Sequence, residues 1–338
     1  MPAAIVGVNA ERSYGHLIGS LLISIPFALA ALMKLITMCV ALAVSVSAQQ
    51  GPAPVVSETV ALQVMLDRAN FSPGEIDGKP GANLERALKA FQQSEKLRPS
   101  EAIDEATWQR LAERSGNQPP LITYQLSYAD VAGPFTPEIP SDLVEQSKLG
   151  ALGFSSPLEL LGERFHVSPA LLATLNPGAT FNQVGESVTV PNVAAVAAAS
   201  PSGPVTLIVT KATSALTIED AAGRVVFHAP VTSGSEHDPL PLGTWKVTGV
   251  QQNPAFHYNP ALFWDAEPSH SKATLQPGPN NPVGTVWIDI SKEHYGIHGT
   301  PSPSTVGHVE SHGCVRLTNW DAQRVAQQVK SGTRVIFR

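Results

Sequence analysis

Between Glu58 and Arg114 the apolar positions recur at helical spacing. Leu62, Met65, Leu66 and Ala69 fall at i, i+3, i+4 and i+7, and Leu84, Ala87, Leu88 and Phe91 repeat the pattern. A turn-rich stretch from Phe71 to Gly78 separates the two, and Asp104 is placed to cap a third short helix carrying Trp108 and Leu111. Three short helices in so small a segment predict a small helical bundle with no catalytic constellation of its own. After Gln118-Pro119-Pro120, which reads as a linker, residues 121–192 are mixed. An apolar stretch around Leu160-Leu161 and Leu171-Leu172 predicts helices, and Ser187 to Pro191 predicts a strand. Residues 193–203, rich in Ala, Ser and Pro without apolar periodicity, read as a second linker.

From Val205 the pattern changes to short β-rich runs. Val205–Val209, Ala215–Ile218, Arg224–Phe227, Thr244–Val250, Val286–Ile290 and Arg334–Phe337 predict strands, with Ala221-Ala222-Gly223 as a hairpin turn. Only Asp321 to Val329 reads as helix in this half. Frequent Pro and Gly turns between short strands predict a β-sandwich or partly open barrel. The expected fold is therefore multidomain: a helical bundle (58–114), a small α/β module (121–192) and a mainly-β domain (204–338).

Composition changes this picture only modestly. Just 15% of residues are charged, with 29 Pro and 26 Gly, which fits several loop-rich domains better than one helical bundle. A net charge of −6 with no basic block argues against nucleic acid as a partner. The stretch Leu35 to Ala48 follows Lys34 and exits through Val46-Ser47-Ala48, which reads as a signal peptide within residues 1–48, with the native start at Met33. Lys34 interrupts the longer run that a membrane anchor needs. Export, to a periplasm or cell envelope, is the resulting expectation. Of the two cysteines, Cys39 lies in that segment, so the mature protein keeps one thiol, Cys314, in an oxidising compartment.

That cysteine lies in Ser311-His312-Gly313-Cys314-Val315-Arg316-Leu317, just after Tyr295-Gly296-Ile297-His298-Gly299-Thr300. A thiol titrates near 8.5, so a nucleophilic cysteine needs a positioned imidazole to form its thiolate at neutral pH. Gly313 lets the backbone approach a reacting carbonyl, where N–H groups stabilise an oxyanion. The flanking Ser, His and Gly favour this over a buried structural cysteine.

These two segments resemble the signature of the YkuD-type L,D-transpeptidases, and the resemblance extends over about Pro204 to Arg338 through Pro241-Leu242-Gly243 and Asn281-Pro282-Val283-Gly284. It implies Cys314 as nucleophile, His298 as proton donor and acceptor, the Gly299 carbonyl as the group that orients His298, Gly313 and His312 at the oxyanion hole, and Ser311 and Arg316 as substrate-binding residues. It also implies no metal and no organic cofactor. The implied reaction is acyl transfer from a peptidoglycan tetrapeptide stem to an amine, in a cross-link or onto a wall-attached protein. Carbapenems are the implied covalent inhibitors. Leu62-Gln63, Gly74 to Gly78 and Ala87 to Gln92 resemble the peptidoglycan-binding type 1 domain. Leu160 to Ser168, Asn176-Pro177-Gly178 and Ser187 to Pro191 resemble the second half of a LysM module, a β-α-α-β glycan binder whose opening strand falls at Ile122 to Leu126. Glycan and stem peptides are thus the expected partners.

Three other readings compete. Water in place of the amine makes an L,D-carboxypeptidase, and a silent catalytic domain makes a wall-binding scaffold. The third is a zinc site from His298, His308, His312 and Cys314, but those residues lack a paired-ligand spacing. His166 reads as a surface or capping residue, His308 as a loop residue near the site entrance. His228, His237, His257, His270 and His294 read as structural or surface residues.

Overall fold

The computed structural model describes residues 57–100, 103–194 and 203–338. The expected signal segment with Cys39, and most of the second expected linker, lie outside them. The described residues belong to one compact unit. None of their helices is long and apolar enough to cross a membrane.

The bundle forms where periodicity and caps agree. Helix α1 (Glu58–Arg68) starts at Ser57, whose hydroxyl accepts from the Val60 N–H. Helix α2 (Ala82–Ser94) and helix α3 (Glu105–Arg114) follow, with Asp104 accepting from the Thr107 N–H as the sequence implies. Leu62, Leu66, Leu84, Leu88, Phe91 and Leu111 share one core, in which Phe71 meets Phe91 edge to face at 5.4 Å.

The α/β module opens with strand β1 (Leu121–Gln125), which pairs antiparallel with β2 (Ser187–Pro191) along its whole length. Helices α6 (Pro157–Arg164) and α7 (Pro169–Leu175) lie between them in sequence, each with proline at its first position and a serine cap. The intervening insertion carries two single-turn helices, α4 (Tyr128–Val131) and α5 (Leu143–Gln146). The first linker is tied down, since Pro119 and Pro120 carbonyls accept from Asn192 and the Gln118 carbonyl accepts from Arg68.

In the C-terminal half nine strands hydrogen-bond edge to edge in the order β5-β4-β3-β13-β7-β10-β11-β12-β6. They are β3 (Thr206–Thr210), β4 (Ala215–Glu219), β5 (Val225–Pro230), β6 (Thr232–Ser233), β7 (Gly243–Gln252), β10 (Val286–Ile290), β11 (Gly296–His298), β12 (Val315–Arg316) and β13 (Arg334–Phe337). The ten-residue β7 holds the sheet together by pairing with β13 on one side and β10 on the other. Residues from both sides of β7, including Leu207, Phe227, Ile288, Ile297 and Val315, enter one core with Ala322 and Val325 of helix α8 (Asn319–Gln328). A separate hairpin, β8 (Phe256–Tyr258) with β9 (Ala273–Leu275), packs on the α/β insertion through Tyr258, Leu275, Leu143 and Leu152. His270 bridges the two, bonded to the Tyr258 hydroxyl at 2.9 Å and to Asp142 at 2.8 Å.

All three parts meet at Asp67, at the end of α1. Its buried carboxylate accepts two bonds of 2.9 Å from Arg324 of α8 and one of 3.0 Å from His166 Nδ1. The His166 ring stacks on Trp320 at 5.0 Å, and its backbone takes a left-handed φ of 56°. His166 is therefore no surface residue: its place next to Asp67 is set by contacts about a hundred positions apart in sequence, which local pattern does not reveal. Beside it, the Ser72 hydroxyl donates to Asp321 of α8 at 2.8 Å.

Candidate active site

The parallel pairing of β11 with β12 sets His298 opposite Arg316 and Ile297 opposite Val315. Paired residues point to the same face and alternate residues share it, so His298, Arg316 and Cys314 face the same way while Ile297 and Val315 enter the core. All three line a cavity of about 1050 Å³ between the sheet and the β8–β9 hairpin. Two histidine and cysteine segments that are separate in sequence thus become neighbours through one short ladder.

The bonds around His298 define its chemistry. Nδ1 lies 2.7 Å from the Gly299 carbonyl, which only accepts, so Nδ1 carries the proton and Nε2 is left as the basic nitrogen. The ring stacks on Trp287 at 5.3 Å. Asn319, at the first turn of α8, fixes this segment: its side-chain oxygen accepts from the Thr285 N–H and fills the space a side chain at Gly299 or Gly284 needs. Burial, with Arg316 adding to it, pushes the His298 pKa down to about 3. Burial pushes the Cys314 thiol up, against the pull of the Gly296 N–H and the Arg316 charge. The resting state is therefore neutral thiol and neutral imidazole, with His298 Nε2 unprotonated. The thiol itself points toward the His294 carbonyl, 3.9 Å away.

The remaining residues divide into loop supports and cavity walls. The Ser311 hydroxyl donates to the Cys314 carbonyl and accepts from the Gly234 N–H, each at 2.7 Å. It is 4% exposed and lies beneath the loop, outside the cavity lining. His312 turns to the hairpin side, with Nε2 2.8 Å from Asp265 and its ring against Phe263 and Trp264. Arg316 reaches the cavity without an ion pair among the described residues, and its buried Nε has no partner. His308 lies against Asn83 of α2. Among the described residues no three His, Cys, Asp or Glu side chains are grouped to hold a metal ion.

Gly313 occupies a left-handed φ of 93°, and a Cβ there meets the Tyr295 ring 2.6 Å away. Gly313→Ala therefore carries a backbone cost of about 1–2 kcal/mol plus a clash. It is expected to slow alkylation of Cys314 by iodoacetamide about tenfold or more, with partial recovery in the Gly313→Ala/Tyr295→Ala double variant. An unchanged alkylation rate in the single variant defeats this account of the loop.

Asn319, Trp287, Asp265 and Asp238 escaped the sequence reading, which met Tyr295 only as the start of the histidine segment. The only local signal among them is Thr318-x-x-Asp321, a cap pattern that marks a helix start right after the cysteine segment.

Comparison with known proteins bears on this half directly. Residues 204–337 match the family model of the YkuD L,D-transpeptidase catalytic domain. The C-terminal half is thus similar to that domain. Residues 56–111 match the peptidoglycan binding domain family. The YkuD protein of Bacillus licheniformis, named as an L,D-transpeptidase, is 50% identical over 60 residues, 18% of this chain and 36% of that protein. The probable L,D-transpeptidase YbiS of Escherichia coli is 27% identical over 224 residues, 63% of this chain and 71% of that one. The match thus spans about a third of the Bacillus relative and most of YbiS. Among solved structures, an L,D-transpeptidase from Mycobacterium smegmatis aligns over 46% of this chain and 64% of its own, at 18% identity and a TM-score of 0.33.

Proposed function

We propose that the protein is an exported peptidoglycan L,D-transpeptidase acting through a thioester on Cys314. The observation that carries this is the placement of Cys314, Arg316 and a His298 with a free Nε2 on one face of the β11–β12 ladder, in one cavity. His298 Nε2 takes the Cys314 proton as sulfur attacks the carbonyl joining the third residue of a tetrapeptide stem to its terminal D-Ala. N–H groups of Gly313 and Cys314 stabilise the oxyanion. The C–N bond breaks, His298 returns the proton to the leaving D-Ala amine, and the thioester remains. Arg316, opposite His298 in register, holds the D-Ala carboxylate with its forked donors. An acceptor amine then attacks the thioester, giving its proton to His298, and the thiol reforms as the C–S bond breaks. The acceptor is the side-chain amine of a second stem or of a wall-attached protein; water gives tripeptide instead.

The helical module supports the same reading as a wall anchor, since its own family is a peptidoglycan-binding one. A carbapenem, whose strained carbonyl meets the same thiol, acylates Cys314 in this account.

Intact-mass measurement of the mature protein with a disaccharide-tetrapeptide, followed by peptide mapping, tests the proposal. The expected result is an acyl adduct on Cys314 with free D-Ala, then a dimer or a tripeptide. Absence of both adduct and D-Ala from a protein whose Cys314 still reacts with iodoacetamide defeats it.

A further inference from the structure

The loop that follows β6 holds a half-buried carboxylate, Asp238, with no hydrogen-bond partner for its Oδ2 among the described residues. Asp238 lines the cavity with Cys314, Arg316 and Tyr295. It forms no ion pair among the described residues either, although Arg316 and Lys292 line the same cavity. The loop that carries it is held firmly. Its ends close on each other through Ser235 and Asp238, whose backbone N–H groups bond to the Asp238 carbonyl at 2.9 Å and the Ser235 hydroxyl at 3.0 Å. Gly234 is clasped to Ser311 by two bonds, one in each direction. The loop is thereby fastened to the segment that presents the nucleophile.

A carboxylate oxygen enclosed without a partner is costly, and a site that keeps one is complementary to a cation supplied from outside. The sheet order says which cation. Strand β12 lies between β11 and β6, and the loop after β6 that carries Asp238 closes beside Gly234, which is bonded to Ser311, so this loop meets the cysteine segment from the β6 side while His298 meets it from the β11 side. Leaving D-Ala and incoming acceptor both exchange a proton with His298, which places both amines on the β11 side. The part of the donor retained in the thioester lies toward β6.

We propose that Asp238 is the specificity-determining residue for the donor stem, binding the ammonium on the side chain of its third, diamino residue. This rests on the transpeptidase reading above and adds the group that selects the donor. Arg316 and Asp238 then read opposite charges on the two sides of the scissile bond, and donors with a neutral third side chain lose one of the two anchors.

Single-turnover acylation with enzyme in excess isolates this step, because acceptor chemistry does not enter. D-Ala release is followed for a tetrapeptide with a free side-chain amine and for the same peptide N-acetylated there, with wild type and Asp238→Asn. A charge-assisted hydrogen bond sets the expected scale, about a ten- to hundredfold loss in kcat/KM when wild type meets the acetylated donor. Asp238→Asn is expected to lose about as much with the free amine and to treat the two donors alike, while iodoacetamide alkylates Cys314 at least as fast as in wild type, because the Asp238 charge raises that thiol. Equal use of both donors by wild type, or an Asp238→Asn loss of the same size for both, overturns the assignment and leaves the transpeptidase reading standing. A wild type that alkylates normally but releases no D-Ala from either donor overturns the transpeptidase reading, and this assignment with it.

Discussion

Cys314→Ala is expected to abolish acylation by stem peptide and by carbapenem alike, and His298→Ala to slow it about 10²–10⁴-fold, the range that a positioned acid–base group contributes. The reasoning starts from the neutral resting pair. A thiol whose pKa burial has raised is almost wholly protonated at neutral pH, so attack depends on Nε2 taking its proton as the C–S bond forms. With His298 removed, only the small thiolate fraction reacts, held by Arg316 and the Gly296 N–H. The pH dependence follows with its sign. Because His298 loses its proton at about 3, no loss of rate from imidazole protonation is expected between pH 5 and 7. Because the thiol is raised, alkylation of the free wild-type enzyme by an uncharged reagent is expected to climb with pH through a midpoint above the ordinary thiol value. An acidic limb centred near 6.5 in that profile means that His298 titrates like an exposed histidine, and the buried-base account then fails.

The second large effect concerns stability. Asp67→Ala leaves Arg324 buried, its side chain 14% exposed, with Asp321 only at 3.9 Å and His166 without its acceptor. Breaking a buried pair from one side costs about 3–5 kcal/mol, whereas replacing both members by apolar groups is often neutral. Urea unfolding is therefore expected to show a large loss for Asp67→Ala and a much smaller one for Asp67→Leu/Arg324→Met. A loss below about 1 kcal/mol in the single variant means that the junction is solvated in solution. Burial acts on Asp67 against its partners, and the partners win: Arg324 and His166 hold its carboxyl far below the usual range. A carboxylate depressed in the folded state contributes stability above its unfolded pKa of about 3.9 and loses it as pH falls through the folded value. Asp321 has the opposite sign. Burial, with Asp67 beside it, raises it to about 7, so its neutral form stabilises the fold at low pH and that contribution declines as pH rises from about 4 to 7. The same α8 carries Asn319, which braces Gly299, so this junction and the His298 segment share one rigid element.

The chain's own pattern determined the longer elements and marked the candidate reacting residues. Helical periodicity with the Asp104 cap specified the bundle, because both signals are local and act within one or two turns. Val286–Ile290 and Arg334–Phe337 emerged with the predicted bounds, since β-branched runs ended by turn residues leave little choice of period. Cys314 and His298 were legible as a candidate pair because thiol chemistry restricts residue type and spacing within two short segments. Sheet order was not legible: that β12 would lie between β11 and β6 depends on pairings between strands far apart in the chain. The Asp67–Arg324–His166 contact was hidden for the same reason. Its members look like ordinary surface charges until three segments far apart in the chain bury them together, and burial is a property of the assembled structure.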